Sequence, residues 1–293
     1  MPKAGFVAIV GKPNAGKSTL LNRLVGERLA ITSPKPQSTR DRVVGIRSDD
    51  QRQFVFLDTP GLLDPEYELH QVMRAVAIAA LKEADVILYL ADAGDGQPPA
   101  LASLVPELGA HIAAPVVTVL SKGDRLTREQ RLMLEPHVDF VVSAKSGAGL
   151  EPLLAAIADR LPEHPFLYPD EELSTQSMRF FASELIREVA LEQLDDEVPY
   201  AVACVIEEFK ESQTPVLIRA TIHVERDSQK GILLGANGDR IKAIGTAARK
   251  RLEPLIGGPV YLDLWVKVTK NWRKSVDAMA RFGYRAPQPP DRR

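Results

Sequence analysis

The chain has 293 residues, of which 45% are hydrophobic and 26% charged, and its formal net charge is −2. These fractions are typical of a globular protein. The chain is longer than a domain built around one hydrophobic core usually is, so we expect two domains. One cysteine, Cys204, excludes an internal disulfide. No apolar run approaches the roughly 20 residues of a membrane span, and no signal peptide is recognisable, so we expect a cytoplasmic protein.

The first predicted elements enclose a loop with two glycines. Residues 5–10 form an apolar run that predicts a strand, and residues 17–25 have the spacing of a helix. The segment between them reads G-x-x-x-x-G-K-S, whose glycines let backbone N–H groups approach a phosphate at the positive end of the helix. Its lysine reaches the β- and γ-phosphates, and its serine hydroxyl is a Mg²⁺ ligand. The predicted nucleoside-triphosphate loop is Gly11, Lys12, Pro13, Asn14, Ala15, Gly16, Lys17 and Ser18.

A second apolar run, residues 54–57, ends at a carboxylate. Asp58 can hold Mg²⁺ through water, and the backbone N–H of Gly61 can meet the γ-phosphate. Asp-Thr-Pro-Gly alone is an ordinary turn, but its position at a strand end, after the phosphate loop, favours a role in nucleotide binding. The residues assigned to this role are Asp58, Thr59, Pro60, Gly61 and Leu62.

Two later strand ends indicate which base is bound. A carboxylate at position 124 can accept hydrogen bonds from N1–H and N2–H₂ of guanine, which adenine does not offer. The stem of Lys122 would cover the base, and the segment after residue 142 would pack under it. GTP is therefore the predicted nucleotide, and an ATPase is the alternative that Asp124 disfavours. The residues are Ser121, Lys122, Gly123 and Asp124 after the run at 116–120, and Ser143, Ala144 and Lys145 after the run at 140–142.

These motifs, in this order, resemble those of the translation-factor-related GTPases. Asn14 and the segment at 37–41, Gln-Ser-Thr-Arg-Asp, are similar to the bacterial Era and MnmE group. The resemblance implies an α/β P-loop GTPase domain, with an open, mostly parallel sheet and helices on both faces, that binds GTP or GDP with Mg²⁺. It also implies that residues 37–41 are the first switch and that the Mg²⁺ ligands are Ser18, Thr39 and Asp58.

The same resemblance bears on catalysis. Leu62 stands where Ras-like enzymes carry a glutamine that orients water, and an apolar side chain cannot do this, so we expect slow turnover. In relatives with asparagine at the position of Asn14, that residue helps to hold a potassium ion beside the phosphates, which leaves K⁺ open as a further cofactor. Arg40 and Arg42 are alternatives for supplying this charge. The residues assigned to catalysis are Asn14, Lys17, Thr39 and Gly61.

One position departs from the family pattern. The guanine motif of the family usually begins with asparagine, whose amide braces the loop and contacts the base, whereas here it begins with Ser121. A serine hydroxyl donates one hydrogen bond and reaches less far. We therefore expect the affinity for the base to be somewhat reduced.

The second half of the chain contains a G-x-x-G turn between two segments of helical spacing. Such a turn lets a phosphodiester backbone approach two helix ends. Residues 226–285 carry 13 Lys and Arg against 5 Asp and Glu, a local net charge of +8 that suits phosphate contacts. A plain helix corner with solvated charges is the alternative. The predicted RNA-binding residues are Lys230, Gly235, Ala236, Asn237, Gly238, Arg240 and Lys242.

The order of predicted elements in this half resembles an α+β type II KH domain. The order is helix 176–194, strand 199–209, strand 216–224, helix 229–234, helix 239–252, strand 260–269 and helix 274–282. One GTPase domain followed by one KH domain resembles the Era family, and the resemblance covers about residues 5–284. We place the domains at residues 1–170 and 171–285, before a flexible tail at 286–293.

The resemblance implies a GTP-driven switch that binds 16S rRNA near its 3′ end and acts in biogenesis of the 30S ribosomal subunit. It further implies a monomer with peripheral association at the inner face of the cell membrane. The alternative is a GTPase that acts on a membrane-surface or protein target through its basic C-terminal half.

Four side chains outside these motifs carry weaker expectations. Cys204 lies in an apolar run and is expected in the core. Trp265 lies in a predicted strand and is expected to pack in the core. Trp272 lies among basic residues, and a base-stacking role is left open for it. His70 is expected at the surface or as a helix cap.

Overall fold

The structure is a computed structural model of the chain, and it describes residues 1–108, 112–195 and 197–287. The chain divides into two compact units, one with Met1–Glu66 and His70–Thr175, the other with Tyr67–Leu69 and Gln176–Arg285. Most of the predicted tail, residues 288–293, lies outside the described residues.

The first unit alternates strands and helices. Apolar runs of strand length occupy positions that are buried on both faces, whereas the helices bury one stripe. The elements are β1 Lys3–Val10, α1 Lys17–Val25, β2 Val43–Ser48, β3 Arg52–Asp58, α2 Glu68–Glu83, β4 Val86–Asp92, α3 Leu101–Leu104, β5 Val116–Ser121, α4 Arg128–Leu134, β6 Phe140–Val141 and α5 Leu150–Arg160.

These strands form a sheet in the order β2-β3-β1-β4-β5-β6. β2 runs antiparallel to β3, and the other neighbouring strands are parallel. After β1 the chain builds β2 and β3 on one side of it and then crosses to the other side for β4. The loop after β1 therefore lies where the strand order reverses, the place where open α/β sheets bind ligands.

The second unit packs helices against a small mixed sheet in the order β7-β8-β9, with β7 antiparallel and β9 parallel to β8. Buried aliphatic side chains of the long helices α6 and α9 meet the inner face of this sheet and form the core. The elements are α6 Met178–Gln193, α7 Val198–Ala201, β7 Ala203–Lys210, β8 Val216–Val224, α8 Asp227–Leu234, α9 Asp239–Ile256, β9 Val260–Val268 and α10 Val276–Arg281.

Two predicted elements of the second unit differ from the structure. The strand expected at 199–209 begins only at Ala203, because Val198–Ala201 is a short helix with proline in its first turn, where a missing N–H costs no helical bond. The helix expected at 274–282 is split into a 3₁₀ turn, Trp272–Lys274, and α10. Ser275 separates them because its side chain caps α10 by accepting from Ala278 N–H.

The tryptophans differ in burial. Trp272 is fully buried, stacks on Tyr284 and donates from Nε1 to Ala201 O at 2.8 Å, so it is a core residue and the base-stacking role left open for it does not apply. Trp265 is 65% exposed, so the expectation that it lies in the core was wrong. Cys204 is buried as expected, and its burial raises the thiol pKa to about 12.

The helices of the described residues differ from membrane-spanning helices in length or apolar content. None of the helices there is both long enough and apolar enough to cross a bilayer.

Candidate nucleotide site and RNA interface

The residues predicted to bind the nucleotide lie at one edge of the first unit's sheet. The phosphate loop follows β1, Asp58 ends β3, and Ser121 ends β5. Because these strands are parallel neighbours, their carboxyl ends meet at the same edge. The structure therefore brings together motifs that are separated by more than 100 residues in the chain.

The backbone of the phosphate loop requires its two glycines. Gly11 has a φ of 153°, and a Cβ there would lie 2.0 Å from Leu90 O. Gly16 caps α1 in the left-handed region with a φ of 87°. Asn14 is also left-handed, with a φ of 62°, and its side-chain amide donates to Pro34 O at 3.1 Å. These turns expose N–H groups of the loop beside the N-terminus of α1, which favours an anion.

Lys17 is folded back over the loop. Its ammonium donates to Gly11 O at 3.2 Å and to Lys12 O at 2.9 Å. Burial lowers the Lys17 pKa to about 8, although Asp58 acts in the opposite direction. A buried ammonium held only by loop carbonyls can exchange these partners for phosphate oxygens, which carry full negative charge.

Three oxygen ligands converge beside this lysine. Ser18 Oγ lies 2.7 Å from Asp58 Oδ2 and 2.9 Å from Thr39 Oγ1. Asp58 is fully buried, and its Oδ1 has no hydrogen-bond partner among the described residues. Burial raises the Asp58 pKa to about 6, opposed mainly by Lys17. An orphaned carboxylate oxygen beside two hydroxyls fits a hard divalent cation such as Mg²⁺.

The segment after Asp58 packs directly on the phosphate loop. Thr59 Oγ1 donates to Ile9 O at 2.9 Å, and Pro60 is buried. A Cβ on Gly61 would lie 2.7 Å from Pro13 N, so only glycine allows this approach. Leu62, by contrast, does not face the nucleotide site. Its side chain lies in the core, and its N–H donates to Gly11 O at 2.9 Å.

Ser121 braces the phosphate loop. Its hydroxyl donates to Ala15 O at 2.6 Å and also lies 3.1 Å from Ala91 O. One proton therefore joins the end of β5 to the loop, the bracing role expected of an asparagine amide at this position. That proton is then engaged by the backbone, which leaves the hydroxyl without a donor for a base.

Lys122 is held by a partner that sequence reasoning missed. Lys122 has a φ of 56°, and its ammonium donates to Asn14 O at 2.8 Å and to Asp92 Oδ2 at 2.5 Å. Asp92 ends β4, so the signal that could have found it was a further apolar run, residues 86–91, terminated by a carboxylate.

Asp124 stands exposed at the open end of the site. It accepts from Ser143 Oγ at 2.6 Å, and this hydrogen bond keeps the Asp124 pKa below its usual range. Gly123 N–H donates to Val142 O at 2.9 Å, which links the two base-recognition segments. Beyond them, Ala144 is half-buried and Lys145 is exposed. The carboxylate is thus ionised and oriented for two donors on a base.

A cavity of about 500 Å³ extends from the phosphate loop along the first switch. Its lining includes Asn14, Lys17, Ser18, Thr39, Gly61 and Lys122, together with residues not predicted, namely Arg125 and the segment Ile31–Pro34. Arg40 is buried and Arg42 pairs with Glu83, and neither lines this cavity.

His70 is buried, so of the two roles expected for it the surface position is wrong, whereas its side chain does accept a backbone N–H just before α2. Its Nδ1 accepts from the Glu66 N–H at 3.4 Å, so the ring proton is on Nε2, which lies 3.1 Å from Gln37 Oε1. His70 thereby joins α2 to the predicted first switch.

The second unit presents the G-x-x-G turn between α8 and α9. Gly235 has a φ of 70°, and a Cβ there would lie 2.9 Å from Arg240 N, so this position requires glycine. Gly238 is left-handed, with a φ of 80°, and opens into free space. Ala236 and Asn237, between them, are exposed, so the bare turn is accessible to a phosphodiester backbone.

Basic residues and an apolar groove flank this turn. Arg240 and Lys242 are exposed and Lys230 is half-buried, and none of them makes an ion pair among the described residues. A groove of about 270 Å³ lies between α9 and β9. Its lining is Ile241, Lys242, Gly245, Thr246, Arg249, Leu262 and Leu264.

Comparison with protein families identifies a GTPase domain in the first half of the chain and a KH domain in the second. Residues 6–122 match the model of the 50S ribosome-binding GTPase family, and residues 197–273 match the KH domain. The chain is 43% identical to GTPase Era of Geotalea uraniireducens over 96% of this chain and 98% of that protein. It is 40% identical to GTPase Era of Heliobacterium modesticaldum over 96% and 97%.

Two solved Era structures superpose on nearly the whole chain. One is an Aquifex aeolicus Era variant bound to GDP and AlF₄⁻, with a TM-score of 0.90 and 38% identity over 96% of this chain and 99% of that one. The other is Era with MgGDPNP and nucleotides 1506–1542 of 16S ribosomal RNA, with a TM-score of 0.91 and 39% identity over 97% and 99%. The chain belongs to the Era family of GTPases.

Proposed function

We propose that this protein is a GTP-hydrolysing, RNA-binding switch that binds 16S rRNA near its 3′ end and acts in 30S ribosomal subunit biogenesis. The observation that carries the proposal is the presence, on one chain, of a GTP site and of an exposed G-x-x-G turn beside unpaired basic residues. A relative that superposes on 97% of the chain holds a GTP analogue and that RNA.

In the first unit, binding and hydrolysis depend on positioning and charge. Lys17 exchanges its loop carbonyls for the β- and γ-phosphates, and the loop N–H groups hold the remaining oxygens. Ser18, Thr39 and Asp58 would hold the Mg²⁺, which neutralises charge on the β- and γ-phosphates when bound. The N–H of Gly61, fixed against Pro13, is the donor assigned to the γ-phosphate.

Leu62 lies in the core and cannot orient water, so the charge that accelerates hydrolysis has another source. We infer that a potassium ion beside Asn14 supplies it, since Asn14 borders the cavity whereas Arg40 and Arg42 do not. Asn14→Ala should remove stimulation of turnover by K⁺ and leave GDP affinity within about twofold. Equal turnover of the parent in potassium and sodium buffers contradicts this assignment.

In the second unit, the turn from Gly235 to Gly238 would clamp an RNA backbone, and the groove beside it would take unstacked bases. Lys230, Arg240 and Lys242 would contact phosphates. We place the GTPase domain at residues 1–170 and the KH domain at residues 171–285.

The test replaces the two exposed residues of the turn with aspartates and keeps both glycines. Ala236→Asp with Asn237→Asp sets two carboxylates against phosphates, so affinity for a single-stranded fragment of the 16S 3′ end should fall at least about 10-fold. GTP turnover without RNA should stay unchanged because the turn lies in the second unit, and an unchanged tryptophan emission, which comes from that unit alone, controls for its folding. Unaltered RNA affinity would overturn the RNA-binding assignment.

That outcome would favour the alternative, a GTPase acting on a membrane-surface or protein target through its basic half, since charge alone suffices there. We further propose that the protein is a cytoplasmic monomer that contacts the membrane peripherally.

A further inference from the structure

The outer face of the second unit's sheet exposes aromatic side chains. Residues of β9 alternate between the two faces, so Leu262 and Leu264 pack toward the core and border the groove, whereas Tyr261 and Trp265 point outward. Tyr261 is 57% exposed and Trp265 is 65% exposed. The exposed indole of Trp265 therefore offers a flat aromatic face on which a ligand can stack.

The indole of Trp265 is held in place rather than free to rotate. Its Nε1 donates to Asp263 Oδ2 at 3.2 Å, and the same carboxylate pairs with Arg219 at 3.6 Å. Arg219 in turn pairs with Glu208 at 2.7 Å in the neighbouring β7. The row of charges beside the indole is therefore internally paired, and its Asp263 orients the ring before any ligand arrives.

The charge around Trp265 favours an anionic partner. Both acids of the neighbouring row, Glu208 and Asp263, are paired with Arg219, and Glu208 pairs also with Lys210, so this row has no net charge. Lys267 follows on the same face of β9, and Lys270 lies just beyond the strand. Both are exposed, and neither makes an ion pair among the described residues. An oriented aromatic beside unpaired lysines is the arrangement that binds single-stranded nucleic acid.

We propose that Trp265 is a stacking platform for an unpaired base of the RNA strand that occupies the G-x-x-G groove. The inference rests on the proposed RNA-binding function. β9 is the edge strand of the sheet, so the groove at Leu264 and the platform at Trp265 lie on opposite faces of one strand. A strand leaving the groove passes around this edge, stacks one base on Trp265 and brings phosphates to Lys267 and Lys270.

Tryptophan fluorescence reports this directly, because the chain has two tryptophans and Trp272 is fully buried. Emission that responds to external quenchers therefore comes from Trp265. A 12-nucleotide single-stranded RNA from the 16S 3′ end should quench the parent. A 4-nucleotide RNA that fills only the groove should not. Trp265→Phe should bind the 12-mer nearly as well as the parent but without quenching.

Affinity gives the second readout. Trp265→Ala should weaken the 12-mer about 10-fold and leave the 4-mer unchanged, since one stacked base is lost. Tyr261→Ala is the matched control, because it removes an exposed aromatic of the same face about 13 Å along the strand, and it should change the affinity less than twofold. GTP turnover of each variant should equal that of the parent.

The failures can be told apart. If the parent is not quenched and Trp265→Ala binds the 12-mer normally, while the double aspartate variant still loses RNA, the platform is wrong and the RNA-binding function stands. If the double aspartate variant also binds normally, both proposals fail, and a protein contact becomes the account of the exposed indole.

Discussion

At the scale of single residues, guanine selectivity depends on Asp124. Ser143 holds this carboxylate ionised and oriented, and both of its expected partners on the base are N–H groups that adenine lacks. Asp124→Asn should reduce GTP affinity about 100-fold, because two hydrogen bonds to a charged acceptor are lost, and should raise the relative affinity for xanthosine nucleotides. Competition with labelled GDP measures both. Equal affinity of the parent for ATP and GTP would contradict the guanine assignment.

Ser121 is the residue at which this chain departs from its family's usual motif. Its single proton joins β5 to the phosphate loop through Ala15 O. Ser121→Ala leaves that buried carbonyl without its donor, a loss of about 1–2 kcal/mol, so GDP affinity should drop about 5- to 30-fold. Ser121→Asn supplies an amide donor and should bind GDP at least as tightly as the parent. If the alanine variant binds GDP like the parent, the brace has no effect on nucleotide binding.

At the scale of elements, the packing of α10 on the second sheet should be sensitive to acid. His223 is buried on β8 at 4.3 Å from the ring of Phe282, with Nδ1 at 2.9 Å from Thr269 Oγ1. Burial, reinforced by nearby Lys267 and opposed by Glu207, lowers the His223 pKa to about 4. Because the folded pKa lies below the unfolded value, this residue's stabilisation is present above about pH 6.5 and is lost progressively toward pH 4.

The loss at His223 amounts to about 2–3 kcal/mol of unfolding free energy. Unfolding followed by tryptophan fluorescence at pH 7.5 and 4.5 measures it, since both tryptophans lie in this unit. His223→Gln should keep the hydrogen bond and flatten the pH dependence of stability. The same pH dependence in the glutamine variant would assign it to other groups.

The sequence predicted those elements whose ends carry strong local signals. The helix at 17–25 and the strand at 216–224 have the predicted bounds, because a glycine caps the helix and the inner face of the strand is an unbroken apolar set. Asp92, at the end of β4, was missed because its role depends on an ion pair with Lys122 at the end of the neighbouring β5. The apolar run at 86–91 marks a carboxylate at a strand end but does not indicate that partner. The short helix at Val198–Ala201 was missed because it is as apolar as the strand that follows it.

The tryptophans show how a pattern was misread. In β9 the even positions are Val260, Leu262, Leu264, Val266 and Val268, and the odd ones are Tyr261, Asp263, Trp265 and Lys267. Period-two alternation places the odd set outside, and Trp265 belongs to it. Burial of Trp272 could not be deduced in this way, because it depends on Ala201, Phe282 and Tyr284, which are distant in the sequence or lie beyond a turn.

At the scale of the whole molecule, the two halves of the chain have net charges of opposite sign. Residues 1–174 carry 18 Lys and Arg against 23 Asp and Glu, whereas the rest carries 19 against 16. An acidic nucleotide-binding half and a basic half fit a protein in which RNA attraction resides in the second half alone. RNA affinity of the whole chain should therefore depend steeply on salt, although its net charge is −2.

The most direct test of the central claim is equilibrium binding of the full chain to a single-stranded fragment of the 16S 3′ end across a series of salt concentrations. The account predicts that the chain binds this fragment and that log affinity falls linearly with log salt. With about three phosphates contacted by Lys230, Arg240 and Lys242, the slope should be about −2, and the two further contacts proposed for Lys267 and Lys270 would steepen it to about −3.5. Absence of binding at low salt, or binding that does not change with salt, would contradict it.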